Sequence, residues 1–185
     1  MIPRIIIQTG RSLGSLSMIE RASRATLAAL NPDFRCMFFS DDDVVRFVDE
    51  HFPEHRSLFD SFPVRIQKYD FFRYLAVFHY GGFYFDLVVI PCRPLSDLLQ
   101  HDCVFPFEEL SVHAFLQTNF GMDWEVGNYA FAASAQHPFL RAIIGNCVRA
   151  LRDPDWSAEM WRPIPSVFRR DFYVLDTTGP GLVSR

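Results

Sequence analysis

Lysine is nearly missing from this sequence: Lys68 is the single lysine among 18 cationic residues in a chain of 185. Arginines do not cluster to replace it, and the formal net charge is -4. The sequence therefore lacks the basic stripe that nucleic-acid-binding domains present, and a nucleic-acid partner is not expected. The other 17 cationic residues are Arg, which suits planar contacts with phosphate and carboxylate groups.

Cysteine is scarce and scattered. The sequence has no CxxC pair and no Cys/His cluster, which argues against structural zinc. We expect reduced and mostly buried thiols, because few and isolated cysteines in a chain of this size are typical of core positions. The four cysteines are Cys36, Cys92, Cys103 and Cys147.

Long apolar runs are also missing. The short apolar start ends at the polar pair Gln8 and Thr9, so it is too short for a signal peptide, and no segment reaches the length of a membrane span. The sequence therefore predicts a soluble protein without an integral membrane segment, by default in the cytoplasm.

The residues that are present predict one globular α/β domain over residues 1–185. Hydrophobic residues make up 49% of the chain and 20 residues are Phe, which suits an aromatic core. The first half alternates strands at 5–7 and 34–39 with helices, the first capped by Ser15 or Ser17 and the second by Ser40 or Asp41. This alternation predicts a mostly parallel central sheet flanked by helices.

The middle of the chain carries the clearest signals. A helix is predicted over residues 64–80, ended by Gly81 and Gly82, and a short strand over 83–85 places Asp86 at its carboxyl end. Ligands of open α/β sheets bind beyond the carboxyl ends of strands, so Asp86 is well placed for chemistry.

The second half is less regular. We predict strands over 103–107, 129–133 and 172–175, a helix over 138–151 and an irregular loop over 153–165. The segment 179–185 reads as the start of a new element, which suggests a truncated or unusually short member of a longer type.

Two acidic positions have competing interpretations. Asp70 and Arg73 lie three apart on one helix face, which fits either an exposed intrahelical ion pair or a clamp for sugar hydroxyls and a leaving phosphate. Spacing alone favours the ion pair. Asp86 fits either a turn-capping residue or a ligand of a divalent cation.

The motifs resemble glycosyltransferase family 32. The opening Ile2-Pro3-Arg4-Ile5-Ile6-Ile7-Gln8 is similar to the family's IPKIIHQ start, and segments 68–74 and 81–86 match K-x-D-x-x-R-Y and G-G-x-Y-x-D. Later segments, Asn128 with Ala132, His137-Pro138-Phe139 and Thr178-Gly179-Pro180, follow in the family's order. The match covers most of the chain, and the central set is its specific part.

The resemblance implies a GT-A-type, Rossmann-like fold and a retaining transfer of mannose, glucose or galactose from a UDP- or GDP-sugar to a glycan, lipid or protein acceptor. It implies that Asp70 and Arg73 hold the transferred sugar and that Tyr84 packs near the donor. Asp86 is expected to contact donor hydroxyls and to help place Mn²⁺ or Mg²⁺, and Asn128 is expected to face the sugar or the acceptor.

Three positions depart from the family pattern. Val88 stands where the second aspartate of the DXD motif belongs, and valine cannot bind a hard cation, so weakened metal binding is expected. Ile7 replaces a histidine, and Gly10 replaces an aromatic residue that would stack on the nucleotide base.

Three functional hypotheses are weighed against one another. The first is an active hexosyltransferase, and the second is a catalytically impaired protein that still binds nucleotide sugars or other partners. A phosphatase-type hydrolase with Asp86 as nucleophile ranks last, because the motif that accompanies such an aspartate is missing.

Overall fold

The computed structural model describes residues 1–108, 118, 121, 124–162 and 164–184 of the chain. The strands are β1 (Ile5–Thr9), β2 (Arg35–Phe39), β3 (Gly82–Phe85), β4 (Cys103–Val104), β5 (Phe107–Glu108), β6 (Glu125–Val126) and β7 (Ala130–Ala133). The helices are α1 (Met18–Leu30), α2 (Asp41–His51), α3 (Arg56–Ser61), α4 (Arg65–Tyr80), α5 (Pro138–Arg152), α6 (Pro154–Trp161), α7 (Arg169–Thr177) and α8 (Pro180–Ser184).

Among the described residues, five strands form the central sheet in the order β2-β1-β3-β7-β4. The β1 strand pairs in parallel with β2 and β3, whereas β7 runs antiparallel to both of its neighbours, β3 and β4. Four of these strands thus run in one direction, and the predicted mostly parallel sheet is confirmed. A separate pair, β5 and β6, is antiparallel.

The two faces of the sheet pack against different helices, and strand alternation decides which side chain goes where. Ile7 and Tyr84, register partners on β1 and β3, belong to the larger core with α2, α4 and α5. Ile6 and Phe83 belong to the smaller core, where Leu27 of α1 packs on them. Helices therefore cover both faces of β1 and β3.

Two glycines reverse the chain between α4 and β3. Gly81 and Gly82 have φ angles of 67° and 98°, a region that side chains with a Cβ rarely adopt. A Cβ on Gly82 would also lie 2.5 Å from the Ile5 carbonyl oxygen, so this position needs glycine for space as well. The reversal lets β3 pair directly with β1.

Helix starts follow the predicted capping chemistry. Ser17 caps α1 and Ser40 caps α2, each in a capping box with the acidic residue three positions later, Glu20 and Asp43. These contacts settle the choice between Ser15 and Ser17, and between Ser40 and Asp41. The aspartate run 41–43 thus belongs to the first turn of α2, where negative charge is favourable.

The strand predicted over 103–107 is interrupted at 105–106, and its ends, β4 and β5, lie in different sheets. Two further predictions for the second half are wrong. Residues 172–175 form part of α7 and not a strand. Half-buried Tyr173 is followed three and four residues later by buried Asp176 and Thr177, and this spacing places all three on one face of a helix. Most of the expected loop over 153–165 is helix α6. Its start could be predicted, because Asp153-Pro154 is a typical beginning of a helix: the Asp153 carboxylate accepts from the Trp156 amide at 3.0 Å.

The cysteine prediction holds in part. All four thiols are free, but Cys36 and Cys92 are exposed, Cys103 is half-buried and only Cys147 is buried. The expectation of mostly buried thiols is therefore wrong. Within the described ranges, no helix combines the length and apolarity needed to cross a membrane.

Candidate functional site

The predicted site side chains converge at the carboxyl edge of the sheet. Because α4 and β3 run in opposite directions around the glycine reversal, the first half of α4 lies beside the end of β3. Asp70 and Arg73, three residues apart, point from α4 toward this edge, and Tyr84 points toward them from β3. Asp86 follows directly after the strand.

Arg73 occupies the centre of the cluster. Its Nη2 atom lies 2.9 Å from Asp70 Oδ1 and 3.5 Å from Asp86 Oδ1, and its Nη1 donates to the Asn128 carbonyl oxygen at 2.8 Å. The guanidinium carbon sits 4.8 Å from the centroid of the Tyr84 ring. One cation therefore serves two carboxylates, which leaves the cluster with an excess negative charge.

Asp70 is held by three segments that are far apart in sequence. Besides Arg73, its carboxylate accepts from Thr178 Oγ1 at 2.9 Å and from Asn128 Nδ2 at 3.4 Å. The Tyr74 hydroxyl ties these partners together: it accepts from Asn128 Nδ2 at 2.9 Å and donates to the Thr178 carbonyl at 2.7 Å. Asn128, which is expected to face the sugar or the acceptor, thus contacts both Asp70 and Tyr74.

Three residues that support the site or its surroundings, Gln67, Tyr74 and Thr178, have no role assigned from the sequence. Tyr74 and Thr178 lie within motifs that were recognised, the K-x-D-x-x-R-Y and T-G-P segments, so a signal was present. Gln67 had no signal; it is fully buried and its Nε2 donates to Thr177 Oγ1 at 2.7 Å, which fixes α7 against α4.

Asp86 is the member of the cluster that solvent reaches. Its side chain is 33% exposed, against 5% for Asp70 and for Arg73. The buried Tyr84 hydroxyl donates to Asp86 Oδ1 at 2.8 Å and so orients the carboxylate. A ligand that approaches this edge therefore meets Asp86 first, and Asp70 and Arg73 lie behind it.

The segment after Asp86 is a tight turn. The Val89 amide donates to the Asp86 carbonyl at 3.0 Å, and Val88 stands at the tip with 66% of its surface exposed. Neighbouring Leu87 is buried. The position that carries the second aspartate in the family pattern thus faces solvent, where an aspartate would meet no steric obstacle from the core.

Gly10 sits in a confined place at the end of β1. A Cβ there would lie 2.7 Å from Leu87 Cδ1 and 3.4 Å from the Phe38 ring. A larger residue at this position therefore requires Leu87 to move. The resemblance leads one to expect an aromatic residue at this position, but Leu87 occupies the volume that its side chain would need.

Burial controls the ionisation of the cluster. It raises the pKa of Asp70 to about 6, although Arg73 and the Thr178 hydroxyl pull that pKa down. Burial opposes the charge of Arg73, but the oxygen of Tyr84 and the carboxylates of Asp70 and Asp86 outweigh it and hold the pKa of Arg73 above its usual value. Burial also raises the pKa of Tyr84 well above its ordinary value, so this phenol stays a donor.

The raised pKa of Asp70 gives a testable dependence of stability on pH. A carboxyl whose pKa is higher in the folded chain favours folding in its protonated form, so its contribution declines as pH rises from 3.8 toward 6 and is constant above that. The decline amounts to about 3 kcal/mol. We expect Asp70→Asn to gain stability relative to the native chain as pH rises from 4 to 7, measured by urea unfolding.

The control for this measurement is Asp97→Asn, which removes an exposed carboxyl of the 96–98 turn. Its unfolding free energy is expected to run parallel to that of the native chain over the same pH range. A parallel curve for Asp70→Asn as well would contradict the assigned burial of Asp70.

Other acidic residues do not join the cluster. Asp41 pairs with Arg65 and Tyr69 on the outer side of α2 and α4. Glu108 lies on β5, and its neighbour Glu109 falls outside the described residues. Within the described part of the chain, no group of three or more His, Cys, Asp or Glu side chains is arranged to hold a metal ion by itself.

A solved structure shares this architecture. The structure titled PaToxG Glycosyltransferase superposes with a TM-score of 0.62 over 99% of this chain and 68% of that chain, at 15% sequence identity. That identity supports the fold alone. The fold, with its acidic site at the carboxyl edge of the sheet, is of the GT-A glycosyltransferase type, as the sequence predicts.

Sequence comparisons indicate which family of glycosyltransferases the chain resembles. Residues 19–105 match the family described as "Glycosyltransferase sugar-binding region containing DXD motif", and this range includes Asp70, Arg73, Tyr84 and Asp86. In sequence and fold the chain therefore resembles family-32 glycosyltransferases, and the predicted resemblance is confirmed.

Two similar curated proteins are yeast mannosyltransferases of sphingolipids by name. Inositol phosphoceramide mannosyltransferase 1 of Schizosaccharomyces pombe is 32% identical over 151 residues, which cover 78% of this chain and 42% of that protein. Mannosyl phosphorylinositol ceramide synthase SUR1 of Saccharomyces cerevisiae is 29% identical over 77% of this chain and 34% of its own length. The chain thus spans well under half the length of these relatives.

Proposed function

We propose that the chain forms the donor-binding core of a retaining hexosyltransferase. It would move mannose, glucose or galactose from a UDP- or GDP-sugar to a glycan, lipid or protein acceptor. The observation that supports this proposal is the convergence of Asp70, Arg73, Tyr84 and Asp86 at one edge of the sheet, with Asp86 open to solvent. The mannosyltransferase names of the relatives favour mannose among the three sugars.

In this proposal each residue has a distinct task. Asp86 contacts donor hydroxyls, and Tyr84 fixes the orientation of its carboxylate through their hydrogen bond. Asp70 and Arg73 form the wall of the sugar pocket behind Asp86, and Asn128 joins them through Asp70 and the Arg73 guanidinium. The donor sugar would rest on this wall as its bond to the diphosphate breaks.

Charge explains why a cation belongs to the proposal. Arg73 is already shared by two carboxylates, so it does not neutralise a leaving diphosphate as well. Mg²⁺ is commonly held by one or two carboxylates together with substrate phosphates. Asp86 supplies one such carboxylate, so the residues fit a cation that arrives with the donor, and this cation would neutralise the leaving diphosphate.

A second candidate is a protein that binds the donor without turning it over. Val88 favours this alternative, because an exposed aliphatic side chain stands where the family pattern has a metal-binding aspartate. Gly10 also favours it, since the aromatic residue that would stack on a base is missing and Leu87 leaves no room for a Cβ there.

Donor hydrolysis separates the two candidates. We expect the native chain to release nucleoside diphosphate from GDP-mannose or UDP-glucose in the presence of Mn²⁺, and Asp86→Asn to lower this rate by at least about tenfold, because a metal-binding and sugar-binding oxygen becomes an amide. Asp97→Asn, which changes an exposed carboxyl elsewhere, is the matched control. Donor binding without release supports the second candidate, and no binding of either donor removes both.

A further inference from the structure

An exposed aliphatic patch lies on the same edge of the sheet as the candidate site. Parallel strands β1 and β3 end at this edge. The chain after β1 leads into the start of α1, and the chain after β3 leads into the turn at 86–89. Ser23 Oγ of α1 donates to the Val89 carbonyl at 2.7 Å, so the two segments are joined.

Five large aliphatic side chains of these segments point to solvent, with 48% to 85% of their surfaces exposed. They form what we call the aliphatic rim: Leu13, Met18, Ile19, Val88 and Ile90. Single exposed apolar residues are ordinary, but five on two adjoining segments beside a site indicate an interaction surface.

The two segments that carry the aliphatic rim are packed against the rest of the chain. Leu16 and Leu87, from the same two segments, are buried. The Arg21 guanidinium also donates to the Leu16 carbonyl at 2.9 Å and ties the loop to α1. The segments are therefore anchored, and the rim residues face outward from a fixed base.

The charge around the rim is opposite in sign to that of the whole chain. Residues 10–24 contain Arg11, Arg21 and Arg24 against one acidic residue, Glu20, in a chain of net charge -4. The Glu20 carboxylate is engaged with the Ser17 amide at 2.6 Å. Arg11 and Arg21 are exposed, as is Arg93 just beyond Ile90.

Exposed aliphatic side chains with exposed arginines in the same segments match the surface of an anionic lipid bilayer. The aliphatic groups enter the boundary between headgroups and acyl chains, and the arginines contact lipid phosphates. A second copy of the chain fits less well, because a two-fold contact would bring the same cationic surface against itself. We propose that the aliphatic rim docks the chain onto an anionic bilayer, with Asp86 beside the headgroups.

This inference goes beyond the proposed function, and its test needs neither donor nor turnover. The full chain is mixed with phosphatidylcholine vesicles with or without phosphatidylserine, and the bound fraction is measured by flotation. We expect binding to the phosphatidylserine vesicles that weakens at high salt. The double variant Met18→Ser/Ile19→Ser should lower the partition coefficient roughly tenfold or more.

The matched control is Val167→Ser/Phe168→Ser, which removes equally exposed apolar side chains far along the chain and should leave partition unchanged. A charge variant, Arg11→Gln/Arg93→Gln, should weaken binding roughly fivefold for each arginine. Its control is Arg35→Gln/Arg170→Gln, which alters exposed arginines outside the rim.

Three results would overturn the proposal. The first is a lack of binding to either vesicle, and the second is an equal loss in the two serine double variants. The third is a native dimer, seen by sedimentation without vesicles, that Met18→Ser/Ile19→Ser dissociates, since the rim would then join copies of the chain. Circular dichroism of each variant confirms that it is folded.

Discussion

Replacing Arg73 by methionine is expected to destabilise the chain by about 3–5 kcal/mol at neutral pH. The substitution keeps an unbranched apolar stem but removes the cation that contacts both Asp70 and Asp86. It also leaves the Asn128 carbonyl without its 2.8 Å donor. Any donor hydrolysis is expected to be lost with it, because the wall of the proposed sugar pocket collapses.

Urea unfolding at two pH values tests the electrostatic cause. At pH 4 the carboxyl of Asp70 is protonated in the native chain, so removing the cation should cost less than at pH 7. The same substitution at an exposed pair, Arg162→Met, is the control and should cost no more than about 1 kcal/mol. A loss for Arg73→Met no larger than that of the control would show that Arg73 does not compensate the two carboxylates.

Val88→Asp is expected to tighten Mn²⁺-dependent donor binding by on the order of tenfold or more. The substitution supplies a second carboxylate two residues after Asp86, at the tip of a turn where the side chain is exposed. Because Val88 contacts little of the core, the free energy of unfolding should change by less than about 0.5 kcal/mol. Calorimetric titration with Mn²⁺ and GDP-mannose or UDP-glucose measures the gain.

The matched control is Ile90→Asp, which adds the same charge at a nearby exposed position outside the motif. If both variants bind the metal and donor alike, the gain is only a general effect of added charge. Hydrolysis measured on the same samples is informative as well. Activity that appears only in Val88→Asp identifies the native chain as a donor-binding protein whose turnover is impaired by this one position.

The first half of the fold could be predicted because its signals are local. Serine caps, the glycine pair and the apolar runs each act within a few residues, and the elements they predict are present. The second half was less predictable because tertiary packing decides it. Residues 172–175 combine aromatic and β-branched side chains that favour a strand, yet the buried contacts of α7 with its neighbours select a helix.

In the candidate site, too, local features could be predicted from the sequence and tertiary contacts could not. Asp70 and Arg73 could be placed on one helix face by their spacing, and Asp86 at a strand end by the alternation of elements. That one guanidinium contacts both carboxylates could not be predicted, because it depends on how α4 and β3 meet after the reversal at Gly81 and Gly82. The exposure of Asp86 relative to Asp70 likewise needed coordinates.

The hydrogen bond from Thr178 to Asp70 joins groups 108 positions apart in the chain. The middle of the sequence contributes Asn128 to the same carboxylate, so the site is complete only when distant parts of the chain have folded together. A local opening of the last two helices would strip Asp70 of a donor while the central sheet stays intact. Occupancy of the site and closure of this terminal segment are thus thermodynamically linked, and a ligand that prefers the complete site holds the segment in place.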